Sequence, residues 1–245
     1  MWFDYLVWGW IAIAVITFMF LLKIKQPYGR HTTDGWGMMV NNNWGWFWME
    51  LPALIVMPVL ALTGPTELQL PQLIIVALWS IHYINRTLIF PFRLKTKGKK
   101  MPLSIVLSAV FFNGINGFVN GYFLGHLSEG NSGLSWTLFL GVALFFLGMV
   151  INQRSDNHLL NLRKENTGYA IPRAGLFNWI SCPNYFGEII EWTGFAIAAA
   201  SLPAASFAIW TAANLIPRAL NHHDWYQEKF EDYPKDRKAV IPYLV

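Results

Sequence analysis

The sequence predicts an all-α integral membrane protein with seven transmembrane helices, its N-terminus outside and its C-terminus in the cytoplasm. Three observations predict it. Of 245 residues, 54% are hydrophobic and only 13% are charged, whereas a soluble domain carries about 25% charged residues. The apolar residues gather into runs close to the roughly 20 residues that a helix needs to cross a bilayer. The 18 Lys and Arg residues lie in or beside alternate connections between those runs.

The runs fall near 5–22, 44–62, 69–92, 102–124, 135–154, 176–200 and 203–220, in one membrane domain over 1–245. The first lacks the basic start and small-residue cleavage site of a signal peptide, so it reads as a span. The second, "WGWFWMELPALIVMPVLAL", is apolar except for Glu50. The third carries Tyr83 in "SIHYINRT" and the fifth ends with Asn152 and Asp156, four apart. The sixth opens "LFNWISCPNYFGEIIEWTGF", with Asn184, Glu188 and Glu191 on one helical face. The seventh ends with Arg218, His222 and Tyr226 at i, i+4 and i+8. The charged, Pro-containing tail 221–245 belongs outside the bilayer.

The cations orient the spans. Lys23, Lys25 and Arg30 lie between spans one and two; Arg93, Lys95, Lys97, Lys99 and Lys100 between three and four; Arg163, Lys164 and Arg173 between five and six. Lys229, Lys235, Arg237 and Lys238 are in the tail, and Arg86, Arg154 and Arg218 sit in or at the ends of spans beside those connections. The alternate loops "TGPTEL", "GHLSEGNSG" and "SLP" carry none. Basic loops stay in the cytoplasm. The net charge of +4 therefore reads as membrane orientation, and no nucleic-acid partner is expected.

The polar groups gather in the cytoplasmic half. Glu50 lies about 9 Å into span two from that side, and Tyr83 about 14 Å into span three, at 1.5 Å per residue. Intramembrane carboxyls are costly and mark function by default; the bland alternative for Glu50 is an Arg-paired or snorkelling acid. For Glu188 and Glu191 the alternative is a structural network, and for Asp156 a juxtamembrane salt bridge with Arg163. Trp2, Trp8 and Trp44 read as an interfacial belt, while Trp46 and Trp192 lie near acids and suit a ligand wall. The single cysteine, Cys182, excludes an internal disulfide framework. His222 and His223 have no third ligand at zincin-like spacing, so no metal is expected. Neither GxxxxGK[ST] nor GxGxxG occurs, which leaves a phosphate loop or Rossmann turn unsupported. Dispersed Arg, Lys, Asn and Tyr can still hold a phosphorylated cofactor. An acid and a phenol in an apolar pocket can polarise a carbonyl, provided the acid is protonated, the form that a dry site favours.

The segments "YAIPRAGLFNWISCPNYFGEIIEWTGFAIAAASLPA" and "NHHDWYQEKFEDYPKDRKAVIPYLV" resemble the steroid 5-alpha-reductase (3-oxo-5-alpha-steroid 4-dehydrogenase) family. So do "PYGRHT", "MELP", "IHYINRT" and "GMVINQRSDNHLLNLRK" upstream, and the likeness runs from Pro27 to the end. The resemblance implies seven helices enclosing NADPH and a steroid, and reduction of the C4–C5 double bond of a 3-oxo-4-ene. It places the family's ketone-binding acid on Glu50 and its tyrosine partner on Tyr83. It implies cofactor contacts at Asn152, Asp156, Arg163, Tyr169, Asn184, Glu188, Arg218, His223, Tyr226 and Arg237, with Arg86 as a further candidate. Trp46 and Trp192 would line the steroid channel. One departure stands at "GYAIP": Ala170 replaces the Arg of the animal enzymes, which puts one phosphate contact in question.

The rivals are a membrane sterol reductase of different double-bond specificity, an isoprenylcysteine-type methyltransferase using S-adenosylmethionine, and a proton-coupled transporter. Transport usually shows repeat symmetry, and none is visible. The expected partners are a hydrophobic steroid or sterol-like enone and the lipid bilayer, with the chain a monomer. The tail and the cytoplasmic loops are expected to close over the cofactor, the tail's large apolar partners being its own aromatics. Compact loops lean to a bacterial plasma membrane, with the endoplasmic reticulum the place in a eukaryote.

Overall fold

The structure, a computed structural model, describes residues 1–24, 34–94, 98–129, 133–165 and 169–245. The "PYGRHT" motif and the cations Lys25, Arg30, Lys95 and Lys97 lie outside the described residues. Among the described residues the fold is all-helical apart from two short antiparallel strands, β1 (Met39–Asn41) and β2 (Lys100–Pro102), with Val40 opposite Met101. Among the described residues, five helical runs are long and apolar enough to cross a membrane: Trp2–Leu21, Asn42–Thr63, Leu70–Arg93, Leu103–Leu127 and Trp136–Lys164. The chain forms two compact units, one of Met1–Lys25, Leu140–Ala196 and Ala205–Val245, the other of Gln26–Phe139 and Ile197–Ala204.

The second of these units is built on α2 (Asn42–Thr63). Asn41 caps it, its side-chain oxygen accepting from the backbone N–H groups of Asn43 and Trp44 at 2.9 and 3.3 Å. Span three is α3 (Leu70–Ile84), a π-turn Asn85–Ile89 and α4 (Phe90–Arg93). Pro91 has no N–H to continue the i−4 ladder onto Thr87, which accounts for the break in α-helix. Span four is α5 (Leu103–Tyr122), extended by a second π-turn, Phe123–Leu127. α5 runs along α2 in the same direction through Gly117, Gly121 and Gly125, spaced four apart. A Cβ on Gly121 would stand 2.5 Å from the Met57 carbonyl oxygen, and one on Gly125 3.0 Å from that of Ala61. Only hydrogen at these positions lets the two backbones touch.

In the other unit, α1 (Trp2–Leu21) buries Phe3, Val7, Trp10 and Ala14 on one stripe, and Trp10 meets Trp210 at 4.6 Å. α6 (Trp136–Glu165) and α7 (Pro183–Ala199) cross antiparallel at glycines. A Cβ on Gly187 would stand 2.5 Å from the Asn152 backbone nitrogen, and one on Gly194 2.7 Å from the Gly141 carbonyl oxygen.

Three boundaries differ from the sequence expectation. Span five continues as helix to Glu165, so Arg163 and Lys164 stand in its last turn and not in a loop. The run past Asn152 has no Gly or Pro before Gly168, so nothing stops the helix where hydropathy falls. The helix of the expected sixth span starts at Pro183 instead of 176, and Gly175–Asn178 form a 3-10 turn. Proline suits a first helical position and disfavours helix in the residue before it. α8 (Leu202–Lys229), where the seventh span is expected, carries on through the first nine residues of the expected tail. Beyond it the chain returns to the start of α7, where Lys238 N–H donates to Trp179 O, Ser181 N–H to Lys238 O and Cys182 N–H to Ala239 O, at 2.8–3.0 Å. Ala239 and Val240 pack against Cys182, Ala219, Tyr185, Phe186, Ile216 and Leu220. The tail's apolar partners thus lie on α7 and α8 as well as among its own aromatics.

Candidate active site

In the α2 unit, one hydrogen bond sets the level of the acid and the phenol. The Trp79 indole N–H donates to the Ala53 carbonyl at 2.8 Å, locking α3 to α2. Glu50 lies three residues before Ala53, and Tyr83 lies four after Trp79. The helices are antiparallel, so both steps lead one turn in the same direction. The acid and the phenol therefore share one depth on neighbouring helices, and Tyr83 is 3% exposed, its ring 4.9 Å from that of Trp79. One turn further, the same logic pairs Trp46 with Arg86. The Arg86 guanidinium lies over the Trp46 ring at 5.5 Å and over Phe90 at 4.8 Å, contacts worth about 0.5–2 kcal/mol according to solvation. Arg86 sits in the π-turn, a distortion that often accompanies functional sites.

In the α6–α7 unit, the glycine crossing brings four predicted residues together. Asn152 Nδ2 donates to the Asn184 carbonyl at 3.0 Å and to Glu188 Oε2 at 3.3 Å. Asn184 Nδ2 donates to Asp156 Oδ1 at 3.2 Å. Two amides and two carboxyls form one chain because Asn152 and Asp156 share a face of α6, and Asn184 and Glu188 a face of α7. On α7 and α8, the Arg218 guanidinium lies 5.8 Å from the Tyr185 ring centre. The Tyr185 hydroxyl is 3.2 Å from His222 Nε2.

A second node joins the tail to α8. Ser181 Oγ donates to the Lys238 carbonyl at 3.1 Å and lies 2.6 Å from both His223 Nδ1 and the Tyr233 hydroxyl. With its own hydrogen committed, Ser181 accepts from both. That requires a Tyr233 O–H, which burial first of all keeps by raising its pKa. It also requires an N–H on His223 Nδ1, while Nε2 accepts from Gln227 at 2.8 Å. Burial lowers the pKa of His223, as do Arg237 and Lys238, against an opposing Asp224; the neutral tautomer fits the network. Tyr226 stacks on Tyr233 at 5.3 Å. The buried Arg237 donates to the Pro172 carbonyl at 3.2 Å and lies over the Tyr233 ring at 4.9 Å. Its Nε has no acceptor among the described residues.

The remaining candidates are placed differently. Tyr169 is exposed with its ring against Trp225, and Arg163 is exposed on α6. Trp192 is 1% exposed and enclosed by Phe145, Phe195 and Phe207. No group of three or more His, Cys, Asp or Glu among the described residues can hold a metal. Sequence reasoning passed over Asn113, Ser181, Tyr185 and Tyr233. Asn113 carried a signal, a polar residue inside an apolar span. Ser181 and Tyr233 carried none, being 52 residues apart.

The family model described as 3-oxo-5-alpha-steroid 4-dehydrogenase matches residues 99–245. The chain is 40% identical to Steroid 5-alpha-reductase DET2 of Gossypium hirsutum over 250 residues, spanning 99% of this chain and 97% of that protein. It is 43% identical over 242 residues to 3-oxo-5-alpha-steroid 4-dehydrogenase 1 of Bos taurus, with 96% and 93% covered. With the Homo sapiens protein of the same name it shares 41% over 240 residues, 95% and 92% of the two chains.

Proposed function

The chain belongs to the 3-oxo-5-alpha-steroid 4-dehydrogenase family of steroid oxidoreductases, and from that premise we propose that it reduces the C4–C5 double bond of 3-oxo-4-ene steroids with NADPH. The observation that carries the mechanism is the common depth of Glu50 and Tyr83, set by the Trp79–Ala53 hydrogen bond. Protonated Glu50 and the Tyr83 hydroxyl both donate to the substrate ketone. As the β-carbon of the enone is reduced, negative charge grows on that oxygen, and the two donors bind the enolate more tightly than the ketone, which is what lowers a barrier. The α-carbon then takes a proton from Tyr83 or from water. Trp46 lines the steroid's path beside the acid, held by Arg86; Trp192, enclosed by rings, is the second tryptophan assigned to the steroid.

The cofactor fits the residues of the other unit. Asn152, Asp156, Asn184 and Glu188 offer the mixed amide and carboxyl set that suits a nicotinamide carboxamide and ribose hydroxyls. The buried Arg237, with its free Nε donor, suits a phosphate, and Arg218, Arg163, His223, Tyr169 and Tyr226 complete the expected set. Bound NADPH supplies the hydride; the protein supplies orientation and a dry site.

The same reading has α7 and α8 complete seven spans in one membrane domain, working as a monomer in a bacterial plasma membrane. The cations Lys23, Arg93, Lys99, Lys100 and Arg173 support a cytoplasmic C-terminus. The test is purified protein in detergent with NADPH and testosterone, with products read by mass spectrometry. A product heavier by two hydrogens and dependent on NADPH is expected. The absence of both product and protection against heat by NADPH would sink the reading in favour of the methyltransferase or transporter.

A further inference from the structure

We propose that Asn113 is the positioning residue of Glu50, an inference that rests on the proposed reduction. Asn113 lies on α5, four residues before Gly117, on the stripe that touches α2. It is 5% exposed. Its Nδ2 donates to the Met49 carbonyl at 2.6 Å and to Glu50 Oε2 at 3.3 Å. One amide nitrogen thus serves two consecutive residues of α2, just before Pro52, whose missing N–H weakens the local helix ladder.

The Met49 carbonyl decides which way the amide points. An oxygen 2.6 Å from a carbonyl oxygen would be repelled, so the donor end must face α2. That end offers hydrogens only, and Glu50 Oε2 can meet it only as an acceptor. When Glu50 is protonated, the acidic hydrogen therefore belongs on Oε1. Asn113 chooses the donating oxygen, and it holds the carboxyl's rotation while the ketone becomes an enolate. An acid free to rotate would spend part of its time with its proton turned from the substrate, and orientation of this kind governs rate more than binding.

The experiment compares wild type, Asn113→Ala, Glu50→Ala and the double variant, in detergent, with NADPH and a 3-oxo-4-ene steroid. Asn113→Ala should lower kcat about tenfold, the equivalent of one hydrogen bond, with KM for NADPH unchanged. In the Glu50→Ala background the same substitution should add nothing. A second readout does not depend on turnover: the infrared C=O stretch of protonated Glu50, assigned by its loss in Glu50→Gln, should move to higher wavenumber in Asn113→Ala. Asn113→Ser, which keeps a donor, replaces alanine where melting shows a misfolded protein. An active wild type whose kcat and carboxyl band are unmoved by Asn113→Ala overturns this role alone, as do losses that multiply in the double variant. A wild type inactive on such steroids sinks the proposed reduction, and the inference with it.

Discussion

Replacing Gly187 with alanine tests the link between helix packing and the Asn152–Glu188 cluster proposed for the cofactor. The new Cβ would stand 2.5 Å from the Asn152 backbone nitrogen and 2.7 Å from the Gly148 carbonyl oxygen. Both are backbone atoms, so no side chain can swing aside, and α6 and α7 must part by roughly 1 Å to restore ordinary contact. The bonds from Asn152 to Asn184 O and Glu188 Oε2, now 3.0 and 3.3 Å, would stretch beyond hydrogen-bonding range. Overpacking costs about 1–3 kcal/mol, two lost hydrogen bonds add roughly 1–3, and alanine's helix preference returns about 0.5–1. A net loss of about 3 kcal/mol corresponds to a melting temperature roughly 6–12 °C lower for a chain of this size. The assay is tryptophan fluorescence during heating in detergent, with and without NADPH. Gly187→Ala should melt early, and NADPH should raise its melting point less than it raises that of wild type. Gly114→Ala, where a Cβ meets nothing within 4 Å, is the control and should melt no lower than wild type. A Gly187→Ala protein that matches wild type in melting and in cofactor protection would refute the backbone contact and the cluster built on it.

Three further outcomes are expected. Glu50→Ala should lose about 10²–10³ in kcat, the usual cost of one oxyanion donor, while Glu50→Gln, still a donor, should lose less; steady-state kinetics on a 3-oxo-4-ene steroid decide, and an unimpaired Glu50→Ala removes the acid from the mechanism. Trp79→Phe deletes the donor to Ala53 and should cost about 1 kcal/mol in melting together with a lower kcat, so full activity would show that this bond does not set the level of Tyr83. His223 has a lowered pKa in the fold, so its stabilising contribution is present above the ordinary value near 6.5 and is lost as pH falls through the lowered one. Acid adds a proton at Nε2, facing the Gln227 donor, so wild type should lose melting temperature between about pH 7 and 5 more steeply than His223→Gln; parallel slopes would count against the network.

Much of the site was legible because it obeys helix periodicity. Asn152 and Asp156 are four apart, as are Asn184 and Glu188, and each pair needed only a helix to share a face. Glu50 and Tyr83 stood out because charge and hydroxyl are rare in apolar runs. Asn113 was equally out of place, yet its partners are a main-chain carbonyl and an acid 63 residues away, which no local pattern encodes. The Ser181 node was hidden for the same reason: its partners come from α8, the tail and the Lys238 carbonyl.

By itself the sequence determined the helical class, the apolar runs, the family and the residues that carry polarity into those runs. Hydropathy and side-chain spacing act along the chain, so composition reports them directly. The tertiary structure decided the crossing of α6 and α7 at glycines, the alignment of α2 with α3 through one indole, and the return of the tail to α7. Those depend on how closely backbones approach and on where carbonyl oxygens come to lie. Glycine and the main chain have no distinctive side chain to announce either in advance.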